Sequence, residues 1–267
     1  MLRDITLGQF FPGNSPLHHM DPRVKILWTL FYIVLLFCVN NYYGFLIFAL
    51  FTFTVIRISE IRPRFIFAGL RPLLYLLIFT AFLNIFVSGG ETVLFKIWIF
   101  SATAEGVYTA GIMALRLVFL VLGSSMLTFT TSPIVLTDGI EHLLSPFSKI
   151  GIPAHEIAMM MTIAIRFIPT ILEETDKIIK AQTARGADFE SGNIVRRAKA
   201  MIPLLIPLFI SAFRRADELA MAMECRAYHG GKGRTKMHTL KVSAVDVKTL
   251  PVAALLCILI ILSRVYL

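Results

Sequence analysis

GVYTAGIMALRLVFLVLGSSMLTF, Gly106–Phe129, settles the broad class of this chain, because it runs about two dozen residues with Arg116 as its only charge. A helix needs about 20 mostly apolar residues to cross a bilayer, and such a helix satisfies its own backbone groups in lipid. Four weaker stretches follow the same pattern: about Val24 to Val39, Tyr43 to Ile56, Pro72 to Val87, and Val247 to the C-terminus. Asn40-Asn41 separates the first two, and Gly89-Gly90 ends the third. Tyr42, Tyr43 and Trp28 are candidate interfacial anchors, and Arg264 is placed to snorkel outward. The patch Val93–Phe100 is too short to span and reads as an interfacial or re-entrant piece.

Composition supports this reading. The chain has 267 residues, 57% of them hydrophobic, above the 45–50% typical of soluble domains. The start of the chain is polar and Pro-containing, without a short apolar core, so the first span itself is expected to direct insertion. The net charge of +9 sits between apolar runs, which points to topology rather than nucleic acid. Arg57, Arg62, Arg64 and Arg71 surround the second connection, whereas the stretch 88–105 has Lys96 as its only cation. The positive-inside rule then places the second and fourth connections in the cytoplasm, with the N-terminus inside and the C-terminus outside. Cys38, Cys225 and Cys257 are isolated and carry no metal or disulfide spacing.

The expected organisation is all-α: about five transmembrane helices plus a large cytoplasmic helical segment between the last two. Residues 1–130 hold the first four spans, 131–246 the cytoplasmic segment, and 247–267 the last span. Thr131–Lys248 holds 16 of the 26 Lys+Arg and 12 Asp+Glu, yet keeps many apolar residues, unlike a disordered linker. Pro and Gly divide it into three helical stretches. One runs from about Pro133 to Ile150. His155 to Arg185 is a helix pair or a helix kinked at Pro169. The third runs from Pro203 or Pro207 to Tyr228. In the second, Ile171, Leu172, Thr175, Ile178, Ile179 and Gln182 form one face, and Glu173/Lys177 and Asp176/Lys180 are i,i+4 pairs on the other. In the third, Ala212, Ala216 and Ala220 form a small-residue row suited to close helix packing, so the two helices are expected to pack together.

The ends of these two stretches match each other. Ala181-Gln-Thr-Ala184-Arg185-Gly186 aligns with Ala222-Met-Glu-Cys225-Arg226-Ala227, the two arginines lying 41 residues apart. Arg near a helix C-terminus complements the dipole, and Gly commonly follows the last turn, which accounts for one copy without any function. Two copies on two amphipathic helices of one segment suggest two rigid cationic tips, whose planar guanidinium suits carboxylates or carbonyls of a partner.

Ala184-Arg185-Gly186, together with Cys225-Arg226-Ala227 and the following Tyr228-His-Gly-Gly-Lys-Gly-Arg-Thr235, resembles the paired Ala-Arg-Gly signatures of the T component of energy-coupling factor (ECF) transporters. These are vitamin and metal-ion importers related to ABC transporters, and the resemblance covers essentially the whole chain. The second copy departs from strict Ala-Arg-Gly. The resemblance implies a non-enzymatic scaffold in a prokaryotic plasma membrane. Its coupling helices would dock on two cytoplasmic ABC-type ATPase subunits through Arg185 and Arg226, and it would grip a small membrane-embedded S component that binds the substrate. ATP and Mg would be held by the ATPases, and no cofactor by this chain. A module shared among vitamin S components is the first expectation. A dedicated cobalt or nickel importer subunit, or a lipid-interface enzyme using the basic segment, are the alternatives.

Other residues carry weaker signals. Met159, Met160 and Met161, with Met201, Met221 and Met223, suit either an adaptable partner surface or ordinary packing. Arg116 inside a span is a functional candidate, or bonds Glu105 or Asn84. Glu173, Glu174 and Asp176 read as a solvated face, and His18-His19 with Asp21 offer too few metal ligands. The Gly230–Gly233 run lacks phosphate-loop spacing and reads as a flexible basic loop near lipid headgroups.

Overall fold

A computed structural model describes residues 10–87, 93–97, 100–189, 193–231 and 239–266. The chain forms two compact units, one of Gly8–Gly139 with Thr239–Leu267 and one of Met1–Leu7 with Ile140–His238. The helices are α1 (Pro22–Cys38), α2 (Tyr42–Ser59), α3 (Pro63–Leu70), α4 (Leu74–Val87), α5 (Ala104–Thr130), α6 (Pro133–Leu144), α7 (Ala154–Ala184), α8 (Ile194–Cys225) and α9 (Ala244–Tyr266). An antiparallel pair, β1 (Val93–Ile97) and β2 (Phe100–Thr103), precedes α5.

Among the described residues five helical stretches are long and apolar enough to cross a membrane: Tyr42–Ser59, Pro63–Phe86, Ala104–Thr130, Ala154–Ala184 and Ala244–Arg264. The set differs from the sequence expectation in two places. Helix α1 has 17 residues. It is thus shorter than the usual span, while α7 qualifies although it was read as part of the cytoplasmic segment. The two halves of α7 differ: Glu156 and Arg166 are the only charges up to Ile171, whereas Glu173, Glu174, Asp176, Lys177 and Lys180 crowd the rest.

The patch read as interfacial or re-entrant is β1 and part of β2. Its β-branched and aromatic residues favour extended backbone, and the ladder pairs Val93 with Thr103 and Ile97 with Phe100, with an irregularity between Val93 and Phe95. The Arg-rich connection is not a plain loop either. Pro63 presets the first turn of α3, and Pro72 interrupts the path to α4 with a single 3-10 turn, Arg71–Leu73.

In the first unit, α1, α2, α5 and α9 share one apolar core built on Leu36, Phe45, Phe48, Phe119 and Ile260, each buried. Tyr32 places a hydroxyl inside it. That hydroxyl donates to the Phe119 carbonyl at 3.1 Å and accepts from Thr52 Oγ1 at 3.0 Å, so no buried polar atom is stranded there. Helices α1 and α9 run in the same direction. At their start the Asp21 amide donates to Asp246 Oδ1 at 3.0 Å, and at the far end Asn41 Nδ2 donates to the Ser263 carbonyl. Ser243 and Asp246 form a capping box on α9: the Asp246 carboxylate accepts from the Ser243 amide at 2.6 Å.

Two cations close helix ends in this unit. Lys25 Nζ donates to the Thr130 carbonyl and to Thr131 Oγ1, at 3.0 and 3.1 Å, at the C-terminus of α5. Arg116 donates to the Val39 carbonyl at 2.9 Å and to Asn40 Oδ1 at 3.0 Å, beyond the end of α1, with its guanidinium over the Phe37 ring. The partners suggested by sequence, Glu105 and Asn84, are not the ones it takes. A cation beside terminal carbonyls is favoured by the helix dipole, and this accounts for a charge inside a span.

Gly123 of α5 lies against Tyr32. An added Cβ would come 2.2 Å from the Tyr32 ring, so any side chain there must displace the ring that carries the buried hydroxyl. Gly123→Ala is expected to cost about 1–3 kcal/mol by overpacking. Thermal unfolding in detergent is the readout, and the double variant Gly123→Ala with Tyr32→Leu should recover part of the loss.

Candidate functional site: two matched helix tips

The matched hexapeptides end α7 and α8, and their backbones follow one design. Arg185 closes α7 at φ −83, ψ 2, and Arg226 closes α8 at φ −92, ψ 13. The next residues, Gly186 and Ala227, take positive φ values of 90 and 54. The Gly186 amide bonds the Thr183 carbonyl at 2.9 Å, and the Ala187 amide bonds Gln182 at 3.0 Å. Forty-one residues on, the Ala227 amide bonds Glu224 at 2.9 Å and the Tyr228 amide bonds Met223 at 3.0 Å. Both ends are Schellman caps, which return the chain and satisfy the last carbonyls. The departure from Ala-Arg-Gly in the second copy therefore leaves the backbone shape intact, with Ala227 accepting a left-handed conformation that glycine adopts without strain.

Ala184, Arg185, Gly186, Cys225, Arg226 and Ala227 are all exposed. Neither arginine has an ion-pair partner among the described residues. Each tip thus presents an unneutralised guanidinium at a fixed turn, a shape suited to bidentate bonding with an acidic or carbonyl-rich groove.

Helices α7 and α8 lie antiparallel. Gln182 near the end of α7 touches Pro203 in the first part of α8. Glu174 bonds the Ser211 hydroxyl and pairs with Arg215 at 2.8 Å. The Ser211 hydroxyl, with Arg215, holds the Glu174 carboxyl below the usual carboxylate range. Past α8, Gly231 sits against the His155 ring, where an added Cβ would come 2.5 Å from Cδ2, and His155 Nδ1 lies 2.9 Å from Glu141 Oε1 of α6. The two tips therefore occupy opposite ends of the pair. At about 1.5 Å per residue, the run of α8 from Pro203 to Arg226 spans about 34 Å.

A scan against family models matches residues 13–238 to the family described as cobalt transport protein. Curated relatives named energy-coupling factor transporter transmembrane protein EcfT extend the match over nearly the whole chain. One from Clostridium kluyveri is 57% identical over 268 residues, covering 100% of this chain and 99% of its own. One from Thermosediminibacter oceani is 52% identical, covering 98% and 99%, and one from Bacillus subtilis is 43% identical, covering 96% and 98%. The chain belongs to the EcfT family. The relatives are named as transmembrane transporter proteins, and the apolar helices above agree with a multi-pass membrane protein.

The structure also sorts the weaker candidates of this family member. Helix α8 begins at Ile194, not at Pro203 or Pro207, and includes both prolines. Pro207 has no amide to give the Pro203 carbonyl, and Gln182 Nε2 of α7 donates to that carbonyl at 3.4 Å instead. Helical spacing alone puts Gln182 on the apolar face of α7 and does not show this role, although two prolines four residues apart signal an orphan carbonyl. Helix α7 is one element, with Pro169 inside it. The row Ala212, Ala216 and Ala220 is exposed. The face of α8 less open to solvent carries Leu204, Leu208, Ser211, Arg215, Leu219 and Met223, the side on which Ser211 and Arg215 meet α7. Polar bonds to Glu174 on that side select it over the alanines. Met159 is half-buried, while Met160 and Met161 are exposed. The basic run after Gly231, through Thr235, lies outside the described residues. Among the described residues no group of three His, Cys, Asp or Glu is placed to hold a metal.

The shared cap makes opposite predictions at matching positions. Gly186→Ala should destabilise the chain by about 1 kcal/mol, and Ala227→Gly should stabilise it by up to about 1 kcal/mol. Both shifts are read from thermal unfolding of the purified protein.

Proposed function

We propose that this chain is the transducing scaffold of an ATP-driven ECF importer, linking two cytoplasmic ABC-type ATPase subunits to a small membrane-embedded S component that binds the substrate. The observation that carries the reading is the pair of identically capped, exposed arginine tips at opposite ends of α7 and α8. In this reading Arg185 and Arg226 each fill a groove on one ATPase, and nucleotide and Mg belong to the ATPases. The exposed Met160 and Met161, with the Ala212, Ala216 and Ala220 row, face the S component. A soft, low-relief surface of this kind suits a module shared among several S components. The chain itself is not an enzyme.

The same reading places α1, α2, α3–α4, α5 and α9 across a prokaryotic plasma membrane, and α7 with α8 on the cytoplasmic side. The end of the first unit that holds Lys25, Ser59 and Asp246 is then cytoplasmic, in keeping with Arg57, Arg62 and Arg64 nearby in the sequence, and the C-terminus is outside. The charged second half of α7 and its polar bonds to α8 argue against a lipid-buried position for that half, whatever the apolarity of the first.

Pull-down of the tagged chain in mild detergent should bring two nucleotide-binding ATPases and one or more small apolar membrane proteins. The double variant Arg185→Glu with Arg226→Glu should lose the ATPases while still inserting into the membrane. Each single variant should weaken the association by at least tenfold, the loss expected when one desolvated charge pair is reversed. Unchanged co-purification of the ATPases with the double variant overturns the proposal.

A further inference from the structure

The unit formed by Gly8–Gly139 and Thr239–Leu267 contains a cavity of about 610 Å3. That lies within the roughly 300–1,000 Å3 of small-molecule sites. At the far end of the bundle α2 and α9 touch: a Cβ added to Gly44 would lie 3.4 Å from Ser263 Oγ. Nearer their other ends the same two helices line the cavity from either side, with Ile58 of α2 and Val252 of α9, both substantially exposed, at its rim. Trp28 and Tyr32 of α1 and Leu127 of α5 complete the apolar wall. The Trp28 indole is held in place by its bond to Thr249 Oγ1 at 2.9 Å.

The lining contains two lysines and no carboxylate. Lys25 is committed to the C-terminus of α5, as described above. Lys248 is exposed and has no ion-pair partner among the described residues. An apolar hollow of this size loses dispersion contacts when empty, and water inside it finds too few polar partners. In the membrane arrangement proposed above, on which this inference rests, the helices that frame it cross the bilayer, so the adjoining medium is acyl chains.

We propose that this cavity holds one acyl chain of an anionic phospholipid, with the headgroup bound by Lys248. Apolar walls take the chain. Lys248, in a lining that holds no carboxylate, selects an anionic headgroup over a zwitterionic one. The flexible stem of Lys248 lets the ammonium reach the headgroup while its carbons stay on the rim. The lipid acts as a wedge between α2 and α9, filling the gap that their packing toward the other end, around Phe45 and Ile260, leaves open.

The test uses the full chain with Trp98→Phe, which leaves Trp28 as its one tryptophan. The protein is reconstituted in phosphatidylcholine vesicles containing small fractions of dibrominated phosphatidylglycerol or dibrominated phosphatidylcholine, and Trp28 fluorescence quenching is titrated. Half-maximal quenching is expected at an about fivefold lower mole fraction of the phosphatidylglycerol, the ratio that one lysine near an anionic headgroup provides. Lys248→Gln, a change at an exposed position, should erase that difference. Val252→Phe, which narrows the mouth, should reduce quenching by both lipids. Equal quenching by the two lipids at every fraction overturns the proposal, as does a phosphatidylglycerol preference that survives Lys248→Gln. Displacement of the quencher by added inorganic phosphate overturns the acyl-chain assignment, and no effect of phosphate supports it.

Discussion

A helix that ends, or that contains proline, must find donors for carbonyls that its own backbone no longer serves, and in a protein this poor in surrounding water few donors are at hand. Much of the specific chemistry of this chain answers that demand. Lys25 closes α5, Arg116 closes α1, and Gln182 reaches from α7 to the carbonyl that Pro207 leaves orphaned in α8. Where no side chain is assigned, at the ends of α7 and α8, the backbone folds back on itself and supplies its own amides. The charged and polar residues of apolar helices thus fall into place as end closures before any other role is needed.

This division separates the two arginines of the tips from the other buried or bonded cations. Lys25 and Arg116 are engaged with carbonyls of their own unit. Arg185 and Arg226 sit on ends already closed by Schellman caps, so their side chains are not required to satisfy the helix. A cation that its own helix does not need is available to a partner, and this is the physical content of the proposed docking role. The antiparallel bonding of α7 to α8, through Glu174, Ser211, Arg215 and Gln182, holds the two tips on one body.

Much of this was legible in the sequence. The long apolar runs gave α2, α3–α4, α5 and α9 because hydropathy over about 20 residues is a strong signal. The 41-residue match gave the tips because the cap that follows each arginine is written in local residues. The start of α8 was not legible: proline ordinarily breaks or begins a helix, and the donor that serves the carbonyl left by Pro207 comes from another helix. The packing face of α8 was misjudged because small residues in a row are attractive for close approach, yet the polar bonds of Ser211 and Arg215 lie on the neighbouring row. Arg116 was seen as unusual, but its partners Val39 and Asn40 are remote in sequence. The short pair β1–β2 was hidden by its apolar content, which suits a strand as well as an interface.

The stretch of α8 between Pro203 and Arg226 works as a gauge. Gln182 fixes one end of it to α7, three residues short of Arg185, so the residues in between set how far apart the two guanidinium groups stand and in which directions they point. Adding or removing one residue there would turn Arg226 by about 100° around the helix while moving it only about 1.5 Å. Chain length in this stretch therefore sets the direction of the second guanidinium far more sharply than its distance, and an insertion of seven residues, close to two turns, nearly restores the direction while moving the tip by about 10 Å.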